Sequence, residues 1–308
     1  MALNKAVLAA SVLAVAAAPF GIGSTSGDAA VVSGIRPHSA SPPMSESGSG
    51  SPLVPRGDLL EIKRGRFRVL NRRGRVVREL GRFQASGALQ AMAISGDRRH
   101  AFISILHGEE ASPEVDDVDL ATGSVVRIGD GVSPAVSPSD GRLAYVATTT
   151  TGDRTALVVQ VGSDPPHQIP MGTSAFVGTP PGLITNWSPD GSRIAVYDDT
   201  SLRLVDPATA TSVSSQPAVP GRFLTSPAFL STERLVGLAN CCVGPQRLAV
   251  VNLTTGKRKP FGALRAPPEN MGRVGHGVIF AVTALRQLVL IRKGKVQIIA
   301  SGVAVAAA

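Results

Sequence analysis

The sequence predicts an all-β fold, a β-propeller of six four-stranded antiparallel blades. Three observations predict it. Glycine and proline are abundant, 33 and 23 of 308 residues, Val, Ile, Thr and Leu are plentiful, and beyond residue 53 no stretch keeps helical periodicity over three turns, which means short strands joined by many turns. A turn of Ser, Pro, Asp and Gly types followed by a strand recurs at intervals of roughly 40 residues. A second hairpin marker falls inside each interval, and two hairpins make a four-stranded unit, the blade of a propeller.

The first segment lies outside this pattern. The chain opens MALNKAVLAASVLAVAAAPFGIGSTSG: Lys5, an apolar run from Ala6 to Gly23 broken only by Ser11, then small polar residues. Residues 1–30 read as a secretory signal peptide cut between Ser24 and Ala30, so the protein is expected to be exported, into the cell envelope or outside the cell. The run approaches the ~20 residues that span a bilayer, which leaves a retained anchor as the alternative; Pro19, Gly21 and Gly23 favour cleavage. Residues 31–53 are rich in Ser, Pro and Gly and have little to bury, so they read as a disordered linker. The propeller domain is expected over 54–308.

The repeat is clearest in WSPDGSRIAVYDD (187–199), VSPSDGRLAYVAT (136–148) and ISGDRRHAFISIL (94–106). In the turns, Pro189 presets φ, Asp140 and Asp190 bond back to the backbone, and Gly141 and Gly191 take the left-handed position, so the chain reverses into an antiparallel partner. The stretch LVPRGD (53–58) looks like a protease-cleavable cloning remnant. It aligns instead with this turn, Pro55 on Pro189 and Gly57 on Gly191. Taking the first strand residue after each turn as an anchor gives Leu59, His100, Leu143, Ile194, Leu235 and Val278, separated by 41, 43, 51, 41 and 43 residues. The long interval leaves room for a seventh blade.

The second marker is an Asp or Asn ending an apolar strand before a small-residue turn, as in VLNRRG (69–74), VDLATG (118–123), VDPATA (205–210) and VNLTTG (251–256), with IRKGKV (291–296) as a shorter version. The side chain is expected to accept from turn amides. The segments SPDGSRIAV and SPSDGRLAYV resemble the repeats of TolB-like β-propellers, and the period covers nearly everything from residue 54 onward. That resemblance implies a bladed ring that binds partners or small ligands, often in the cell envelope, and implies no single activity. A ring must also close or expose strand edges. The tail GVAVAAA (302–308) is the candidate closing strand, beside Leu59–Lys63; a frayed end is the alternative.

With strands a to d counted outward, a–b and c–d turns share one face, and b–c and d–a connections share the other. The longer loops, 107–114, 172–182, 240–246 and 262–272, fall on the second face. Cys241 and Cys242 are the only cysteines and are adjacent. In an oxidising compartment they are expected either to close a vicinal disulfide or to stay as free or intermolecular thiols, since disulfide Cα separations of about 4.4–6.8 Å exceed the ~3.8 Å between neighbours.

Charge is uneven. Ten Lys or Arg lie between Arg56 and Arg82 against three acids, a net +7 of the chain's total +9. Basic residues occupy three c–d turns: Arg72, Arg73 and Arg75 in blade one; Lys257, Arg258 and Lys259 in blade five; Arg292, Lys293 and Lys295 in blade six. In a ring closed in sequence order these turns are neighbours. They then form a patch for a polyanion such as an envelope phosphate polymer or acidic lipid headgroups, or are merely solvated turns. Nucleic acid is not expected, because 12 aromatics give no aromatic–basic interleaving.

Catalytic signals are absent: no Gly-x-Ser-x-Gly elbow, no His-Glu-x-x-His and no P-loop, and no cofactor is implied. The acidic run EEASPEVDDVD (109–119) reads as a solvated loop more readily than as a calcium site. Trp187 reads as blade packing. Two hypotheses remain. One is a monomeric binding or scaffolding propeller without chemistry, its partner a protein or anionic polymer, with peripheral membrane contact included. The other is a propeller-type hydrolase or lactonase with a metal in the central channel, for which the inner strands offer only Asn186 and hydroxyls.

Overall fold

The Ser-led turn is the unit from which the fold is assembled. In the fourth copy Ser188 Oγ donates to Asp190 Oδ1 at 2.5 Å and accepts from the Arg193 amide at 2.9 Å, while Asp190 Oδ1 accepts the Ser192 amide and hydroxyl. The second copy repeats this with Ser95, Asp97 and the His100 amide. Ser137 and Ser188 are fully buried; the Ser188 hydroxyl replaces water for its turn's amide and the Ser137 hydroxyl pairs with that of Ser139 at 3.0 Å, as a buried polar group requires. The left-handed residue is Gly191 (φ 72°) in one copy and Arg98 (φ 61°) in the other.

These turns correct the register. The residues that follow them in equivalent places are Ala101, Leu143 and Ile194, paired with Ile94, Val136 and Trp187. His100 and Val278 are the first residues of their strands, as expected, but the core position that Leu143 and Ile194 occupy falls one residue later in these two blades, at Ala101 and at Ile279, the fully buried residue that packs on blade five. A slip of one residue turns a side chain to the other face of a strand. His100 accordingly leaves the core position to Ala101 and pairs its Nδ1 with Asp117 Oδ1 at 3.0 Å.

The computed structural model describes residues 51–108, 112–148, 155–160, 166–172, 185–197, 201–209, 211–217, 225–239 and 246–308, all inside one compact unit, Pro37–Ala308. The signal peptide, most of the linker and both cysteines lie outside the described residues. The described strands form six four-stranded antiparallel sheets. Blade one is β1 (Leu59–Lys63), β2 (Arg66–Leu70) and β3 (Val76–Arg82); blade two is β4 (Ala88–Ile94), β5 (His100–Leu106), β6 (Glu114–Asp119) and β7 (Val125–Asp130). Blade three is β8 (Val132–Val136), β9 (Leu143–Thr148), β10 (Thr155–Gln160) and β11 (His167–Gly172). Blade four is β12 (Thr185–Trp187), β13 (Ile194–Tyr197), β14 (Ser201–Asp206) and β15 (Thr211–Pro217). Blade five is β16 (Thr225–Ser231), β17 (Arg234–Leu238), β18 (Gln246–Asn252) and β19 (Arg258–Leu264); blade six is β20 (Pro268–Gly275), β21 (Val278–Thr283), β22 (Gln287–Arg292) and β23 (Lys295–Ser301).

The fourth strand of blade one comes from the other end of the chain. β24 (Val305–Ala307) pairs with β1, Leu60 opposite Ala307 and Ile62 opposite Val305. The tail is thus the closing inner strand, and its small residues suit the crowded axis: Val305, Ala306 and Ala307 are all buried.

Packing runs the whole way round. Separate apolar clusters join blade one to two, two to three, three to four, four to five, five to six, and six back to one. Middle strands are covered on both faces by neighbouring blades, so β5 and β21 read as apolar runs rather than alternations. Each fully buried Leu, Ile or Phe contributes about 1.5–3 kcal/mol of transfer free energy. The outermost strands β3 and β23 are mostly exposed, and Val76, Val77, Val296 and Ile298 stand in solvent there beside the polar residues. The segment expected as an acidic loop is in part a strand: Glu114–Asp119 is β6, and Asp116 is buried. Residues 109–111 of that segment lie outside the described residues.

Candidate functional site

The strand-ending Asp and Asn residues cap their turns as their chemistry demands. Asp119 Oδ1 accepts the amides of Ala121 and Thr122 and the Thr122 hydroxyl. Asn252 does the same with Thr254 and Thr255, and Asn71 accepts from the Arg73 and Arg75 amides. Burial would raise the Asp119 carboxyl, but the bonds from Thr122 and Ala121 hold it below its ordinary value.

Two of these turns bring the predicted basic residues side by side. A Cβ on Gly294 would meet the Phe261 carbonyl of blade five at 2.7 Å, and one on Gly74 would meet the Ile299 carbonyl of blade six at 2.6 Å. Only glycine permits such contact at positive φ, so the basic turn of blade six leans on blade five and that of blade one leans on blade six. Arg73, Arg75, Lys257, Lys259, Arg292, Lys293 and Lys295 are exposed there. Arg72 also braces blade one's first turn through Nε to the Gly57 carbonyl, and Arg258 donates to the Ala239 carbonyl. Asp140, Gly141, Pro189, Asp190 and Gly191 lie in a–b turns on this same face, and Pro55 and Gly57 lie in the equivalent turn that leads into β1, whose blade takes its a strand from the tail.

The inner strands of the blades line the central channel. At its end on this face, a cavity of about 130 Å³ lies among the inner strands of blades one, two, three, four and six. Asn186 is committed as a donor to the carbonyls of Pro227 at 2.7 Å and Met271 at 3.3 Å, tying blade four to blades five and six. Asn270 donates to the Ala306 carbonyl of the closing strand. Neither Asn270 nor Arg273 stands out in the sequence, where 262–272 reads as a long loop; Pro268–Gly275 is instead the inner strand β20. Arg273 is half-buried, and burial lowers its pKa. Trp187 is a packing residue whose Nε1 donates to Ala135 O, with the Arg142 guanidinium 4.9 Å over its ring. Among the described residues no three His, Cys, Asp or Glu side chains gather as a metal site.

On the opposite face lies a larger cavity, about 680 Å³, that the sequence did not reveal. Its walls come from four distant segments: the b–c turn of blade one (Arg64, Gly65), the blade one to two connection (Arg82–Leu89), the b–c turn of blade six (Arg286) and the crossing into the closing strand (Gly302–Ala304). Backbone bonds fix these walls to one another: Phe83 N to Gly65 O, Ala304 N to Ile62 O and Val303 N to Arg286 O. Ring closure alone brings residues 64 and 303 together, so no local motif announces the cavity.

No protein-family model matches the chain, and no curated protein sequence matches it. Solved structures do. TolB from Acinetobacter baumannii is 14% identical over 82% of this chain and 66% of its own, with a TM-score of 0.50; the chain thus spans just under two thirds of that protein's length. A structure of the nidogen/laminin complex is 10% identical over 81% of this chain and 97% of the matched one (TM-score 0.53), and a Bacteroides caccae protein of unknown function has the same identity and coverages (TM-score 0.55). Likenesses at such identities establish architecture and nothing finer, and the architecture they establish is the TolB-like six-bladed β-propeller.

Proposed function

We propose that this chain is an exported binding or scaffolding module of the cell envelope or the extracellular space, monomeric, that meets its partner through the basic turns of blades five, six and one. The observation that carries the reading is the contact of the blade six turn with blade five and of the blade one turn with blade six, which sets the three basic turns on neighbouring blades. Three clusters of like charge on neighbouring hairpins raise the local anion concentration and steer an acidic protein or an anionic envelope polymer to one face. The apolar N-terminal run supports export, and in an oxidising compartment Cys241 and Cys242 would either close a vicinal disulfide or stay as free or intermolecular thiols. No catalytic step is assigned to the chain.

The test is affinity capture from cell-envelope extract on immobilised protein at low and high salt, with bound proteins and polymers identified by mass spectrometry. Capture lost at high salt, and lost again when Arg72, Arg73, Lys257, Lys293 and Lys295 are changed to Ser, supports the basic face. Salt-resistant capture that survives those changes overturns it.

A further inference from the structure

We propose that the 680 Å³ cavity between blades six, one and two binds a single-chain amphiphile with an acidic head, such as an alkyl carboxylate or alkyl phosphate. Its volume lies in the range of small-ligand sites, about 300–1,000 Å³. The floor is apolar, made by Ile62, Phe83, Leu89 and Val303, and it is pre-formed by the backbone bonds that join its walls. The rim is cationic. Arg64, Arg82 and Arg286 line the cavity and no carboxylate does. Arg286 is answered by Glu269 at 3.5 Å. Arg64 and Arg82 have no ion pair among the described residues.

Two further observations locate the acid head at Arg64. Arg64 and Arg286 both sit in the left-handed region, at φ 53° and 56°, where an L side chain is strained and glycine is not. Arginines held where glycine would relax the turn point to a use for the guanidinium. Arg64 also lines a second, adjoining pocket of about 360 Å³ with Lys63, Arg66, Arg68 and Glu79; Arg66 is paired there with Glu79 and Arg68 with the buried Glu61, which leaves Lys63 and Arg64 as its cations without an ion pair among the described residues. The shared arginine stands between an apolar chamber and a basic one, which is the polarity of an amphiphile laid end to end. A fork of N–H donors suits a carboxylate or phosphate.

This site is on the face opposite the basic c–d turns and does not depend on them. The test is isothermal titration of the full chain with dodecyl phosphate below its micelle concentration, beside inorganic phosphate, dodecanol and vesicles containing an anionic phospholipid. Saturable binding of dodecyl phosphate is expected, with inorganic phosphate and dodecanol each at least ~10-fold weaker, the loss of one charge-assisted contact or of the apolar contacts. Arg64→Gly with Arg82→Ala should weaken binding ~10-fold or more. Arg64→Gly relaxes its turn, so an unchanged thermal midpoint separates lost binding from lost fold. Leu89→Ser should weaken the alkyl phosphate and leave the response to inorganic phosphate unaltered. Dodecanol binding equally well, an unweakened arginine variant, or binding to vesicles alone would each overturn the proposal.

Discussion

Arg98 Nε donates to the carbonyl of Val54 at 2.6 Å, and its Nη2 reaches the carbonyls of Pro55 and Asp58 at 3.2 and 3.4 Å. The Leu53 amide returns a bond to the Arg98 carbonyl at 3.2 Å. The stretch LVPRGD is therefore a working turn of blade one, clamped by the matching turn of blade two, with Val54 fully buried.

Removing this clamp should be costly. Arg98→Ala leaves three carbonyls short of a charged donor and is expected to lower stability by about 1.5–3 kcal/mol, measured as a lower urea midpoint with an unchanged slope. Arg98→Gly should cost about 1 kcal/mol less, because φ 61° strains alanine and not glycine. Cleavage after Arg56 by a protease that reads Val-Pro-Arg should be slow in the parent and faster in both variants. Equal cleavage rates in all three would show that the clamp does not order the turn.

The turn chemistry explains how much of this fold could be read in the chain. Ser, Asp and Gly act through bonds to residues two to five positions away, so Ser188, Asp190 and Asn252 announce themselves locally, and the blade period follows from them. The closing strand is half legible: a ring needs a partner for Leu59–Lys63 and the small apolar tail suits that place, but nothing local separates it from a frayed end. What escaped was whatever depends on face or on closure. The strand starts His100 and Val278 are legible, but the core position one residue later, at Ala101 and Ile279, is not, since a buried middle strand is apolar on both sides and gives no alternation to count. The arginine-rimmed cavity escaped because its residues meet only when blade six docks on blade one.

Closure of the ring gives the second prediction. Val305 is 1% exposed and packs in the cluster between blades one and two. Val305→Asp places a carboxylate there without a partner, at a cost of roughly 3 kcal/mol or more. Hydrogen exchange should then speed up first in β1, β24 and β4, while β13 and β14 keep their protection until global unfolding. Uniform loss across all blades would mean that the ring opens only as one unit.

A buried ion pair gives the third. Glu61 is fully buried in β1, with Arg68 Nη1 3.4 Å from its Oε1. Burial raises the Glu61 pKa, and Arg68 and then Lys63 pull it down without cancelling the rise. A carboxyl raised above 4.5 keeps its proton longer in the folded state, so its contribution to stability falls as pH rises from that value through the folded pKa. Arg68→Ala should therefore cost about 3 kcal/mol at pH 7, where it strands a buried charge, and markedly less near pH 4. Glu61→Gln should be tolerated at pH 7. A pH-independent cost for Arg68→Ala would show that its stem, and not its charge, is what blade one uses.

Asp116 gives the last and has the larger pH signature. It is 5% exposed in β6, and burial, with Glu114 beside it, pushes its pKa up to about 6 against the counter-pull of Arg127 and His107. Between 3.8 and about 6 the folded state binds more protons than the unfolded one, so stability declines as pH rises across that window and the cost is fully present above it. Asp116→Asn removes the titration. It is expected to stabilise the protein at pH 7.5 by about 1 kcal/mol, the ~3 kcal/mol of the bare shift being reduced by solvent screening, and to give no gain at pH 3.5. Urea denaturation of both proteins at pH 3.5, 5 and 7.5 reads this directly. A variant less stable than the parent at pH 7.5 would mean that the carboxylate anchors Arg127 strongly enough to outweigh its own burial, and the outer half of blade two would then be held by its charges.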